Sequence, residues 1–214
     1  MVKIICISDT HTYENFEVPD GDILIHSGDI SFRGTFAEMN RGMRWLSKFP
    51  HKHKVFVCGN HDWLGETDPL LMRELAEENG VIYLDDSGIE LMELRVWGSP
   101  VQPAFCNWAF NKQRGEEIAR HWAKIPDDTQ VLVTHGPPMS ILDLVDKGTS
   151  QEAHVGCEEL LKRVNQLKDL RLHIFGHLHD NNGQFKDSFG KLFVNAAICS
   201  EEYKPIQSPR IITL

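Results

Sequence analysis

Five short apolar runs in this chain each end on residues of the kind that hold metal ions. The run 4–8 is followed by Asp9 and His11, the run 23–27 by Gly28 and Asp29, and the run 55–58 by Gly59, Asn60, His61 and Asp62. In the second half, 131–134 leads into His135, and 172–175 leads into Gly176, His177, Leu178 and His179. Carboxylate, imidazole and amide oxygen, with no thiolate among them, suit hard or borderline divalent ions such as manganese, iron or zinc. Asp9, His11, Asp29, Asn60, His135, His177 and His179 make seven candidate ligands, more than one tetrahedral or octahedral site uses. Two metal ions are therefore expected, with Asp29 as the natural bridge. A lone D-x-H or H-x-H carries little weight, because an isolated histidine is more often a surface or hydrogen-bonded structural residue. Five matching run ends are hard to explain that way.

Such residues need a scaffold that aims them at one place. The β-rich runs 2–8, 22–27, 54–58, 130–134 and 170–175 are separated by stretches long enough for helices, which predicts an α/β fold. In an open α/β sheet the carboxyl ends of the strands line one edge, where ligands bind. Residues 36–49 carry Phe36, Met39, Met43 and Leu46 at helical spacing, and 69–79 opens after Asp68 as N-cap and closes at Gly80. Residues 116–124, stopped before Pro126, and 156–167, with Leu160, Leu161, Val164 and Leu167 on one face, make a second pair. Stretches 81–96 and 184–194 read as strands joined by turns at Asp86-Ser87-Gly88 and Ser188-Phe189-Gly190. No repeat or linker interrupts the pattern, so one domain over 1–214 is expected. The longest irregular piece, 100–114, is a candidate pocket wall, since long ordered loops tend to be functional.

The formal charge of −9 disfavours a nucleic-acid module, whose surface needs clustered Lys and Arg. It does not exclude a phosphate substrate, because two divalent cations would invert the local field. No apolar stretch approaches the roughly 18 residues of a membrane helix, and the apolar start is too short for a signal peptide, so a cytoplasmic protein is expected. The five cysteines are scattered, with Cys6 and Cys58 inside apolar runs as small buried thiols, so neither disulfides nor a zinc knuckle is expected.

In order, the motifs D-x-H, G-D, G-N-H-[DE], H and G-H-x-H resemble those of the calcineurin-like metallophosphoesterases. The stretches 97–100, 107–111, 133–138 and 193–196 extend the resemblance to the metallophosphoesterase-domain-containing subgroup with cyclic-nucleotide phosphodiesterase activity. The resemblance implies a four-layer α-β-β-α sandwich with two central mixed sheets. It implies one ion on Asp9, His11, Asp29 and His179 and a second on Asp29, Asn60, His135 and His177. Hydroxide held by the metals would attack phosphorus in line, and His61, binding neither ion, would act as general acid. The implied substrate is a small phosphodiester, a cyclic nucleotide foremost. Phosphomonoesterase or nuclease activity on the same centre is the alternative, and a non-catalytic metal-binding scaffold a second.

One departure bears on substrate. Relatives acting on phosphoproteins carry G-D-x-x-D-R-G, whose second Asp orients the catalytic histidine, whereas this chain has Phe32 there. Asp62 or a backbone carbonyl is left to orient His61. Arg33, Trp108 and Arg114 are candidate substrate contacts, Arg33 at a phosphate-contacting position, although core packing is the plainer expectation for Trp108. The tract 51–54 is expected to be solvated, His26 and His173 structural, and His121 and His154 surface residues.

Overall fold

The computed structural model describes residues 1–146 and 152–214. Its first half runs β1 (Lys3–Ile7), β2 (Ile23–His26), α1 (Phe36–Ser47), β3 (His53–Phe56), α2 (Trp63–Thr67), α3 (Pro69–Glu78) and β4 (Ile82–Tyr83). The hairpin β5 (Ser87–Leu91) and β6 (Leu94–Ser99) follows, then two-residue strands β7 (Gln102–Pro103) and β8 (Asn111–Lys112), and α4 (Glu116–Trp122). The second half continues with β9 (Val131–Thr134), β10 (Leu144–Asp146), β11 (Glu152–His154), α5 (Glu158–Gln166) and β12 (Leu172–Phe175). It closes with β13 (Gly183–Lys186), β14 (Leu192–Asn195) and β15 (Arg210–Thr213).

Two mixed sheets dominate. The first has the order β15-β1-β2-β3-β4 and is parallel except where β15 runs back along β1. The second has the order β13-β14-β12-β9-β6-β5, parallel at its centre with an antiparallel strand at each edge. Strands β1, β2, β9 and β12 are fully or almost fully buried because both their faces are covered, which explains their unbroken apolar runs.

Period-two alternation divides these runs between three apolar layers. Ile5, Ile7, Leu24 and Phe56 face α1 and α3 through Met39, Met43, Leu46, Met72 and Leu75. Ile4, Cys6, Ile23 and Ile25 point the other way, onto Val131, Val133, Ile174 and Val194 of the second sheet. On that sheet's far side, Leu132, Phe175 and Phe193 meet Ile118 and Trp122 of α4 and Leu160 and Val164 of α5. Three apolar interfaces between helices, sheet, sheet and helices make the four layers that the motif resemblance implies.

Local signals account for the helix bounds. Asp68 accepts from the Leu71 N–H at 3.1 Å with Pro69 in the first turn, so α3 begins where its sequence signature places it. At α1 a reciprocal capping box joins Thr35 and Glu38. The expected turn at Asp86-Ser87-Gly88 holds only at its first residue, since the chain bends at Asp85-Asp86 between β4 and β5 with Asp86 at φ 42°; Ser87 and Gly88 already belong to β5, which reverses into β6 at Met92-Glu93. Both residues take positive φ, 49° and 65°, a conformation usually flagged by Gly or Asn, so no residue signals the true turn. Among the described residues no helix is long and apolar enough to cross a membrane.

Candidate metal centre

All seven side chains expected as ligands sit at the carboxyl ends of β1, β2, β3, β9 and β12, and the two sheets bring these ends together. Asp9, His11 and His179 form one cluster of donor atoms lying within 4.8 Å of one another, and Asp29, His135 and His177 form another. In the first, His11 Nε2 lies 3.2 Å from His179 Nε2, and His179 Nε2 lies 3.4 Å from Asp9 Oδ1. In the second, His135 Nε2 lies 3.3 Å from Asp29 Oδ2 and 2.9 Å from the Asn60 side-chain oxygen. Asp29 connects them, since its Oδ2 is also 4.0 Å from His11 Nε2. His61 approaches the same oxygen at 4.0 Å and completes a third cluster with His11 and Asp29.

The backbone prepares this arrangement at a cost. Asp9, His11, Asp29 and His177 all have positive φ, between 42° and 66°, which costs about 1 to 3 kcal/mol each for non-glycine residues. Packing and hydrogen bonds hold them there. The Asp9 carboxylate accepts the His177 N–H at 2.9 and 3.1 Å, and Asp29 Oδ1 accepts the His61 N–H at 2.8 Å. Gly28, at φ 109°, admits the His135 ring, because a Cβ there would collide with its Nδ1.

Four imidazoles are oriented in one manner. His11, His61, His135 and His179 place Nδ1 on the carbonyls of Ser31, Phe32, Ser27 and Ser200 at 3.1, 2.8, 3.0 and 2.8 Å. A carbonyl only accepts, so each ring donates from Nδ1 and turns Nε2 inward. That is the outer bonding pattern of metal-ligating histidines, and it leaves each Nε2 facing the buried carboxylates, able to bind a cation or to carry a proton.

Charge tells the same story. Burial would raise the pKa of Asp9 and Asp29, yet the surrounding histidines, His179 for the first and His135 for the second, hold both carboxyls below the ordinary range. Burial would likewise lower His135 and His179, but Asp29 and Asp9 lift each to about 9. Burial wins at His177, which falls to about 3, and at His11, which is also lowered. Without metal, protons on His135 and His179 supply the positive charge that two buried carboxylates demand. The donor set therefore fits divalent cations.

Asp62 does not orient His61. Its buried carboxylate accepts from the backbone of Asp29, Ser31 and Gly59 at 2.8, 3.0 and 2.8 Å and from the Ser31 hydroxyl at 2.7 Å, tying the ends of β2 and β3 together. Burial first, then the nearby Asp29 charge, raise it to about 6. The Phe32 carbonyl takes the orienting role.

The centre floors a cavity of about 540 Å³. Its walls include Pro103, Phe105 and Trp108 from the segment between β6 and α4, Val145 of β10, and Val155 just after β11. The irregular segment 100–114 is thus a pocket wall. Trp108 is not core: half-buried, it stacks on the His61 ring at 4.2 Å between centroids, 33° from parallel. Arg114 lines the cavity but commits its guanidinium to the carbonyls of Val155 and Gly156 at 2.7 Å each, so it ties its loop to the segment after β11. Arg33 is exposed and stands outside the lining residues.

Sequence reasoning missed Tyr203. It lines the cavity, has φ 56°, and sets its ring 4.8 Å from His11 and 5.4 Å from His179. Its N–H and the His179 ring share the Ser200 carbonyl, so one turn places both. No motif marks it. Elsewhere, His51 is buried rather than solvated, with Nε2 at 3.1 Å from the Pro19 carbonyl. His121 is only partly exposed and reaches Asp86 at 2.6 Å, while His154 pairs with buried Asp143. The thiols of Cys6 and Cys58 are buried and free.

A family model described as calcineurin-like phosphoesterase matches residues 2–181. Metallophosphoesterase domain-containing protein 1 of Homo sapiens is 34% identical over 234 aligned residues, covering 99% of this chain and 71% of the relative. A UPF0046 protein of Caenorhabditis elegans is 35% identical, covering 94% of this chain and 71% of the relative. Among solved structures, TT1561 of Thermus thermophilus has the same fold at a TM-score of 0.57 and 14% identity, with 91% of this chain and 88% of that one covered.

Proposed function

The chain belongs to the calcineurin-like phosphoesterase family, and from that premise we propose that it hydrolyses small phosphodiesters, cyclic nucleotides among them, with His61 as general acid. Membership makes it a metal-dependent phosphoesterase; the preference for small diesters is the finer claim. The observation that carries it is two donor clusters meeting at Asp29, with His61 against the same carboxylate, on the floor of a cavity of about 540 Å³. That volume lies in the range that encloses small ligands.

Asp9, His11, Asp29 and His179 would hold one ion, and Asp29, Asn60, His135 and His177 the other. Bound ions of this class lower the pKa of coordinated water and neutralise charge on phosphoryl oxygens. The protein's own part is positional. The Nδ1 bond to the Phe32 carbonyl turns His61 Nε2 toward the cluster, where an imidazolium proton can pass to the leaving oxygen. Phe105, Pro137, Val145 and Val155 present apolar surface around the reacting group and limit the water beside it. Phe32, 40% exposed, stands where relatives acting on phosphoproteins carry the aspartate that orients their catalytic histidine.

Manganese-loaded protein should hydrolyse an aryl phosphodiester and at least one cyclic nucleotide faster than the matching aryl monoester or single-stranded nucleic acid. Inactivity on every diester, or a preference for monoesters, would overturn the proposal.

A further inference from the structure

The Nδ1 hydrogen bond to the Phe32 carbonyl fixes where one edge of His61 lies, but leaves its ring free to rotate about the bond direction. Relatives acting on phosphoproteins carry an aspartate at the position of Phe32. Here the nearest ring packed on His61 is an indole, the Phe32 and Tyr203 rings lying farther off and edge-on at 5.9 and 6.2 Å. Trp108 lies over the imidazole at 4.2 Å, while the edge of His11, 4.8 Å away, bounds the ring elsewhere. The residues beside Trp108 are locked to the segment that carries His61. Ala109 donates its N–H to the Asn60 carbonyl at 3.2 Å, and Phe110 donates to the Glu66 carboxylate at 3.0 Å. Both are buried, and Gln102 donates back to the Phe110 carbonyl at 3.1 Å, closing the loop on itself.

Resting on the assignment of His61 as proton donor, we infer that Trp108 is its positioning residue, setting the plane of the imidazole so that Nε2 faces the leaving oxygen. The stack replaces a carboxylate contact with a flat surface that restricts rotation. The face the tryptophan turns to His61 is closed to substrate.

A donor's position matters only where the leaving group needs a proton. Manganese-loaded Trp108→Leu, Trp108→Phe and His61→Asn should therefore be compared on two diesters, one expelling 4-nitrophenoxide and one expelling an alkoxide, as a cyclic nucleotide does. Trp108→Leu should lower kcat for the alkoxide substrate by about 10- to 100-fold, with KM and nitrophenoxide turnover within about threefold of wild type. Trp108→Phe, which keeps an aromatic face, should retain most of the alkoxide activity. In metal-free protein the His61 ring protons should lie upfield in wild type and Trp108→Phe and move downfield in Trp108→Leu. Equal losses on both diesters, a change confined to KM, or unmoved ring protons would overturn the inference. Should Trp108→Leu fail to fold, Trp108→Met carries the same test. His61→Asn separates the two claims: if it slows both diesters equally, the proton-donor assignment falls. If it slows only the alkoxide diester and Trp108→Leu does not, the positioning role alone falls.

Discussion

The layer between the two sheets and the floor of the metal centre are buried alike, and they are built by opposite rules. Val131, Val133, Ile174 and Val194 are fully buried apolar side chains in ordinary strands. Asp9 and His135 are just as inaccessible, but are charged or polar, and Asp9 sits on backbone at φ 51°. The first region gains stability from each group removed from water; the second spends it on desolvated carboxylates and strain, offset by hydrogen bonds, by the histidines and, when bound, by metal cations. The two meet within single strands: β1 ends at Ile7, and Asp9 follows two residues later. A chain that builds its core to within one turn of its site holds that site rigidly, and substitutions in the two regions should separate stability from turnover.

The largest separation is expected at Asp29. Asp29→Asn should lower kcat/KM by about 1,000-fold or more, roughly 4 kcal/mol, while chelator-treated protein unfolds no more easily than wild type, because a buried charge is gone. A clear loss of metal-free stability would show that the carboxylate supports the fold. Ile174→Ala is the mirror case. Truncating this fully buried side chain should cost about 2 to 5 kcal/mol in denaturant unfolding, with kcat/KM of the folded protein within a few-fold of wild type.

Metal removal ranks next. Each ion at 100 to 1,000 times its dissociation constant stabilises by about 3 to 4 kcal/mol, so a chelator should lower stability by that amount per ion released in wild type and Ile174→Ala and by much less in Asp29→Asn. The smallest effect concerns pH at a histidine outside the site. His173 is fully buried beside Phe175 and Phe193; its Nε2 reaches the Thr134 hydroxyl at 2.9 Å, and its Nδ1 has no partner among the described residues. Burial lowers its pKa from 6.5 to about 3. The unfolded chain takes a proton near 6.5 and the folded one only near 3, so stability is complete above 6.5 and falls as pH drops through that window. Between pH 6.5 and about 5 this residue alone should remove about 2 kcal/mol, and His173→Leu should erase that part of the acid slope in unfolding curves.

The contrast also explains what the sequence made legible. Core strands advertise themselves as unbroken apolar runs, and a candidate ligand follows each within a few residues, so the seven candidate ligands, His61 and four of the helices can be read directly. Asp68 and Pro69 mark the start of α3 for equally local reasons. What escapes depends on contacts distant in the chain. Trp108 reaches His61 across 47 positions and Tyr203 reaches His11 across 192, with no spacing rule to connect them. Met92 and Glu93 turn the β5–β6 hairpin without a glycine, and β15 is recognisable only through its pairing with β1. Arg114 looks like a substrate cation until its carbonyl partners are known.

The central claim, two ions shared by Asp29, is tested most directly by anomalous diffraction from crystals soaked in manganese. Two peaks should flank the Asp29 carboxylate, one among Asp9, His11 and His179 and the other among Asn60, His135 and His177. A single peak, or none contacting Asp29, would contradict it.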